Sequence, residues 1–304
     1  MSPGYPLLIA EQRDYPEGYA GRVFVWDIDK TYLDTRFSSL RGMARIPVEF
    51  AVDKRAIPGM PETLRGLRRG VGKGFAAAPI YFVSASPPQM RRVIERKMLL
   101  DGVEHDGLVF KDWLASLRGL RPGRLTEQLG FKLCALLACR RSRPASREVL
   151  FGDDVESDAL AFSLYARLLA GEMSPGDAEQ ALQEAGVKRD DRRCVQALLD
   201  ELGGSGGRVE RIFIHLARGG EPADTPPSPV PLLQVRDGFQ MALACLGAGY
   251  VDEETVQQAA RACREREPDF DPRRLLDDAV SRRLLDGERA AGLKDLVASP
   301  SDRG

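Results

Sequence analysis

Histidine is nearly absent from this chain of 304 residues: only His105 and His215 occur. A histidine-built zinc centre is therefore not expected, and any metal must be held by oxygen ligands. The five cysteines (Cys134, Cys139, Cys194, Cys245, Cys263) form no Cys-x-x-Cys pair. They read as buried free thiols and fit a reducing cytoplasm. No apolar run approaches the roughly 18 residues of a membrane span, so stable membrane insertion is not expected. The opening "MSPGYPLLIAEQRDYPEGYAG" has no basic stretch leading into a long apolar one, so no signal peptide is expected. An excess of one charge is lacking too, with 44 Lys and Arg against 45 Asp and Glu. That balance excludes a global pull toward nucleic acid or anionic lipid, though local patches and a nucleic-acid partner stay open.

What is present is a regular alternation. Val23–Trp26, Ile80–Val83, Leu108–Phe110, Val149–Phe151 and Arg211–His215 are short apolar, strand-like runs. Between them Pro61–Arg69, Pro87–Leu100, Thr126–Cys139 and Ser157–Leu169 have helical spacing. Short buried strands separated by helices predict βαβ units and a parallel sheet, an α/β three-layer Rossmann-like fold. Gly171–Leu202 and Leu232–Val297 break the rhythm and read as helical throughout. "GGSGGR" and "GGEPADTPPSPVP" are linkers, one flexible and one stiff.

In an open parallel sheet, ligands collect at the carboxyl ends of the strands. Four features fall there. Asp27 and Asp29 end the first strand, and "SASPP" (Ser84–Pro88) ends the second. Lys132 lies on the helix before the next strand, and "GDDVESD" (Gly152–Asp158) follows Val149–Phe151. Taken singly each has a plain structural reading: a turn aspartate, a capping serine, a solvated lysine, a capping acidic loop. In this order they are the parts for magnesium-dependent phosphoryl transfer. Asp27 is a nucleophile that is ionised without an activating base. Asp29 is the acid that protonates the leaving oxygen and the base that activates water. Mg²⁺ is expected between Asp27 and Asp153, with the Asp29 carbonyl completing the site. Ser84, Ala85 and Thr31 are placed at the phosphoryl oxygens, and Lys132 supplies fixed positive charge. Asp154 and Asp158 are expected to act on the metal's waters rather than on the metal. Lys30, between the two aspartates and Thr31, is required by none of this and is a candidate for selecting an anionic substrate.

These motifs resemble the haloacid-dehalogenase-like (HAD) superfamily: "DIDKT" its DxDxT signature, "FVSAS" its serine motif, Lys132 its lysine motif and "GDDVESD" its GDxxxxD motif. The resemblance covers Arg22 to about Arg218. Within the superfamily, "IPGMPETLRGL", "PIYFVSASPPQM" and "EVLFGDDVESDALAF" are similar to the actin-patch type phosphatidate phosphatase domain, related to the lipin catalytic domain. The resemblance implies a phosphatase, with Asp27 as nucleophile and Asp29 as acid/base. Lysine at position 30 departs from a pattern that usually has a small or acidic residue there, which leaves substrate identity open.

The expected organisation is a catalytic core over 1–170 and 205–231, helical material over 171–204 and 232–297, and a disordered tail at 298–304. A short flap at about 32–57 replaces any large cap, so the site should be open to a large or macromolecular substrate. Phe37, Leu40 and Met43 repeat there at three-residue spacing beside Arg36, Arg41 and Arg45. Such a stripe suits a lipid surface, a phosphorylated partner or simple packing on the sheet. The two helical segments are expected to form one subdomain that aids folding or binds a protein partner. Three readings of the whole stand side by side. The first is a magnesium-dependent phosphatase of phosphatidate, of a soluble phosphometabolite or of a nucleic-acid end. The second is a non-catalytic phospholipid- or partner-binding module of the same fold, and the third a scaffold with a residual core.

Overall fold

The computed structural model describes residues 7–34, 54–72, 74–111, 125–204 and 206–297. The flap stripe and the tail lie outside them. Among the described residues seven strands form one sheet: β1 (Leu7–Glu11), β2 (Arg22–Asp27), β3 (Ile80–Ser84), β4 (Gly107–Lys111), β5 (Arg147–Asp153), β6 (Arg208–His215) and β7 (Leu232–Val235). Their spatial order is β1-β4-β3-β2-β5-β6-β7, and only β1 runs antiparallel to its neighbour. The central strands are apolar along their middles because helices cover both sides. Period-2 alternation divides their side chains: Phe24, Trp26, Ile80 and Phe82 enter one core, and Val23, Val25, Tyr81 and Val83 enter the other.

Helices α1 (Met60–Arg69) and α2 (Arg91–Leu100) carry the chain from β2 to β3 and from β3 to β4 on the first face. Helix α3 (Leu125–Arg140) leads into β5 on the second face, where α4 (Asp158–Leu169), α5 (Pro175–Glu184) and α6 (Arg189–Leu202) also pack. The chain thus turns from one face to the other at β2, whose neighbours are β3 and β5. Loops leaving β2 and β5 diverge at their carboxyl ends and open a crevice between them.

Two expectations are corrected. Leu232–Val235 is not helical but the edge strand β7, parallel to β6. The run Leu-Leu-Gln-Val is short, follows Pro231 and is stopped by Asp237, which caps the next helix. The two helical segments also do not pack together. Helices α5 and α6 join the second face, whereas α7 (Gly238–Gly247), α8 (Glu253–Arg266), α9 (Pro272–Ser281) and α10 (Gly287–Val297) complete the first. The reason is that each stretch carries its own apolar stripe and meets a different uncovered sheet face. The turn just before α1 meets the start of α7 backbone on backbone: a Cβ at Gly238 would lie 2.0 Å from the Pro58 carbonyl oxygen. All five cysteines are buried thiols outside any disulfide, as the sequence suggested.

Candidate active site

Strand β2 delivers Asp27 to the crevice with its carboxylate buried. The chain then folds back sharply. The N–H groups of Tyr32 and Leu33 both donate to the Ile28 carbonyl, and the Lys30 N–H donates to the Leu33 carbonyl at 2.7 Å. This turn needs a left-handed residue, and Lys30 occupies that position with φ 62°. Thr31 is buried, and its hydroxyl donates to Asp27 Oδ2 at 3.4 Å. Asp29, two residues beyond Asp27, is half-buried.

Strand β3 ends at Ser84, whose hydroxyl donates to Asp29 Oδ2 at 3.1 Å and accepts the Ser86 N–H at 3.0 Å. The Ser86 hydroxyl donates to the same Asp29 oxygen at 2.8 Å. Ala85 lies between them, half-buried. The second loop therefore grips the acid/base candidate. Ser86 is a residue that sequence reasoning passed over, although it sits inside the quoted "SASPP".

Helix α3 projects Lys132 into the centre of the site, fully buried. Its Nζ lies 3.1 Å from Asp27 Oδ1 and 2.7 Å from Glu156 Oε2, and it donates to Asp158 Oδ1. Asp158, first residue of α4, turns its other oxygen to the Asp153 N–H at 3.0 Å. This approach to the strand is open only because residue 152 is glycine. A Cβ there would stand 2.5 Å from both Cβ and Oδ2 of Asp158. Asp153 Oδ1 accepts the N–H groups of Val155 and Glu156, while its Oδ2 is buried with no hydrogen-bond donor. Asp154 accepts the Arg218 N–H and donates its own N–H to the His215 carbonyl.

Charge in this cluster is lopsided. Burial, reinforced by the neighbouring carboxylates and opposed by Lys132, raises Asp27 well above the usual carboxylate range. Asp158 is raised chiefly by burial, and Asp153 is pushed up to about 8 by burial and by Asp158. For Lys132, burial alone would lower the ammonium, but Asp158, Asp27 and Glu156 outweigh it and hold it well above its ordinary value. Lysine and carboxylates move upward together because the acids outnumber the single ammonium. The lysine stays charged, and the acids share protons unless another cation arrives.

That excess is the test of metal fit. One carboxylate oxygen from each of Asp27, Glu156 and Asp158 lies within 4.8 Å of the others. With the orphaned Asp153 oxygen, the donor set is all oxygen and mostly buried, which suits a hard divalent cation. The trio shares only Asp27 with the set expected from sequence, Asp27, Asp29 and Asp153. Glu156 was missed, and the signal for it was the third acid in "GDDVESD". His215, at the end of β6, was also missed; its Nδ1 lies 2.7 Å from the Lys30 carbonyl oxygen. Burial lowers the pKa of its ring below the ordinary histidine value.

A mostly parallel sheet of this order, with an aspartate pair, a serine loop, a buried lysine and an acidic loop at its switch point, is the arrangement that the HAD-like resemblance implies. Residues 22–173, half of the chain, match the family model of the phosphatidate phosphatase APP1 catalytic domain, and the chain belongs to that family. Among solved structures, a protein from Mesorhizobium loti described as a HAD-like phosphatase is 14% identical over 85% of this chain and 94% of its own, with a TM-score of 0.38. That likeness is too weak to bear on the site. A comparison with curated protein sequences finds no match.

Proposed function

We propose that the chain is a magnesium-dependent phosphomonoester hydrolase working through an aspartyl-phosphate on Asp27. The observation that carries this is the buried Lys132 ammonium placed against Asp27, Glu156 and Asp158 at the carboxyl ends of β2 and β5. A bound Mg²⁺, held by Asp27, Asp153 and the Asp29 carbonyl with Glu156 and Asp158 close by, would offset the repulsion between carboxylate and phosphate. Asp27 attacks phosphorus, and the ester P–O bond breaks as the Asp29 carboxyl gives its proton to the leaving oxygen. Asp29, now a carboxylate, takes a proton from water; the hydroxide formed attacks phosphorus, releasing phosphate and regenerating Asp27. Ser84 and Ser86 hold Asp29 in place for both steps, and Lys132 supplies positive charge beside the transferred group. Asp154 and Asp158 keep the acidic loop in shape, and Thr31 steadies Asp27.

Phosphatidate is the substrate favoured by family membership, and Lys30 would select its anionic headgroup. Among the described residues no helix is long and apolar enough to cross a membrane, so a lipid substrate would be met at the bilayer surface. Five buried cysteines outside any disulfide are compatible with a cytoplasmic location. The test is a phosphatase screen with Mg²⁺ over phosphatidate vesicles, soluble sugar phosphates, nucleotides and 5′-phosphorylated oligonucleotides, with Asp27→Asn as control. Turnover of phosphatidate that disappears in Asp27→Asn supports the reading. Turnover only of soluble substrates shifts the substrate class. No turnover, with vesicle binding unchanged in Asp27→Asn, would instead indicate a binding module.

A further inference from the structure

We infer that His215 is a positioning residue of the active site, whose ring holds the turn carrying Asp29 while its backbone holds the acidic loop. The inference rests on the phosphatase reading above, but its evidence is separate geometry. A carbonyl oxygen only accepts, so the 2.7 Å contact between His215 Nδ1 and the Lys30 carbonyl requires the proton on Nδ1. The ring is buried, and its partner is distant in sequence, 185 positions away. In the sheet, His215 stands opposite Asp153 on β5. Its carbonyl accepts the Asp154 N–H at 3.0 Å. One residue therefore touches both acidic loops, neither of which is part of β6. Three further bonds stiffen this bridge. The Leu216 N–H donates to the Val235 carbonyl, the Arg218 N–H to Asp154 Oδ1, and the Arg218 guanidinium to the Val155 carbonyl.

The turn gives the contact its purpose. Lys30 is a non-glycine residue in the left-handed region, a conformation that persists only where the surroundings fix it. A hydrogen bond to its carbonyl is suited to fix it, because it ties the backbone at the left-handed position to a buried ring on another strand. Asp29 is adjacent to Lys30, so its carboxyl and its carbonyl are both set by the same turn. Without the imidazole, the turn can relax, and Asp29 drifts from the Ser84 and Ser86 hydroxyls.

The experiment compares His215→Asn, which keeps an N–H donor near Nδ1, with His215→Phe, which fills the volume without one. Thermal melting checks that both fold. His215→Phe is expected to lower kcat by ~10-fold or more with a smaller change in KM, and His215→Asn to recover much of the loss. In a Lys30→Gly background, where the left-handed turn is intrinsically accessible, the His215→Phe penalty should shrink severalfold. Hydrogen exchange is the readout independent of turnover. Amides of residues 30–33 should exchange faster in His215→Phe than in wild type, with those of β2 unchanged. Equal kinetics for Asn and Phe, or unchanged exchange at 30–33, would overturn the inference. Absence of turnover in wild type would overturn the phosphatase reading alone, because the exchange result still decides the role of His215.

Discussion

Replacing Lys132 by methionine separates the two cationic roles of the site. The side chains are similar in length, so the change removes charge and leaves the packing of α3 largely intact. At the observed 3.1 and 2.7 Å, each ion contact of Lys132 with Asp27 and Glu156 is worth on the order of 5 kcal/mol gross at an effective dielectric near 20. Much of that is offset by the cost of burying the ammonium. What remains when one partner of a buried ion pair is deleted is ~3–5 kcal/mol, because the acids are left uncompensated. In a chain of this size a loss of that order corresponds to a fall in Tm of about 5–8 °C. Divalent cation should reverse the deficit. With the ammonium gone, the cluster is more negative and binds Mg²⁺ more tightly, and a ligand at 100 times its Kd returns ~2.7 kcal/mol. Activity should not follow stability, since the phosphoryl group has lost a fixed positive neighbour; kcat is expected to fall by ~10²–10³ even at saturating Mg²⁺. The assay is differential scanning calorimetry in EDTA and over a Mg²⁺ titration, beside phosphatase kinetics on the same preparations. A Lys132→Met protein as stable as wild type in EDTA, with the same response to Mg²⁺, would refute the electrostatic account of the site.

Three more outcomes follow from the same geometry. Gly152→Ala forces a methyl into Asp158, which is tied to the Asp153 N–H and Lys132; a loss of ~1–3 kcal/mol in urea unfolding and reduced kcat are expected, and unchanged stability would mean that α4 yields freely. Asp153 has a folded-state pKa raised to about 8 from the usual 3.8, so its contribution to stability is complete below pH ~4 and is lost as pH rises through 8. Metal-free protein should therefore lose Tm across that range. Saturating Mg²⁺, which favours the ionised acid, should flatten the slope, and parallel curves with and without Mg²⁺ would contradict this. Ser86→Ala removes a hydroxyl that donates to Asp29 beside that of Ser84 and should lower kcat by roughly 10-fold, consistent with the loss of a hydrogen bond to a charged group. Kinetics equal to wild type would leave Ser84 as the only serine that matters to Asp29.

The parts of this molecule that were legible in the sequence are those where chemistry and strand ends coincide. β2, β3 and β5 are apolar runs that stop at charged or hydroxyl residues, and a buried strand has few other reasons to end that way. Asp27, Ser84 and Asp153 were found by that logic, and Lys132 and Asp158 by their order on the helices that flank β5. What escaped is of another kind. β7 has the composition of a short helix segment, and only its pairing with β6 makes it a strand. The opposite placement of α5–α6 and α7–α10 depends on which sheet face was still uncovered, a property of the assembled layers and not of either stretch. Glu156, Ser86 and His215 were passed over for the same reason. Each acts on a residue already singled out: Glu156 on Lys132, Ser86 on Asp29, His215 on Lys30. The reacting residues can be read from a motif because their chemistry limits which side chains will serve. Their supports can be any donor or acceptor that the fold brings within about 3 Å, and only the folded chain says which one arrives. Lys30 is where the two kinds of residue meet. Its side chain is unassigned by the chemistry, yet its backbone, left-handed and held by His215, is what turns "DIDKT" from a strand end into an active-site loop.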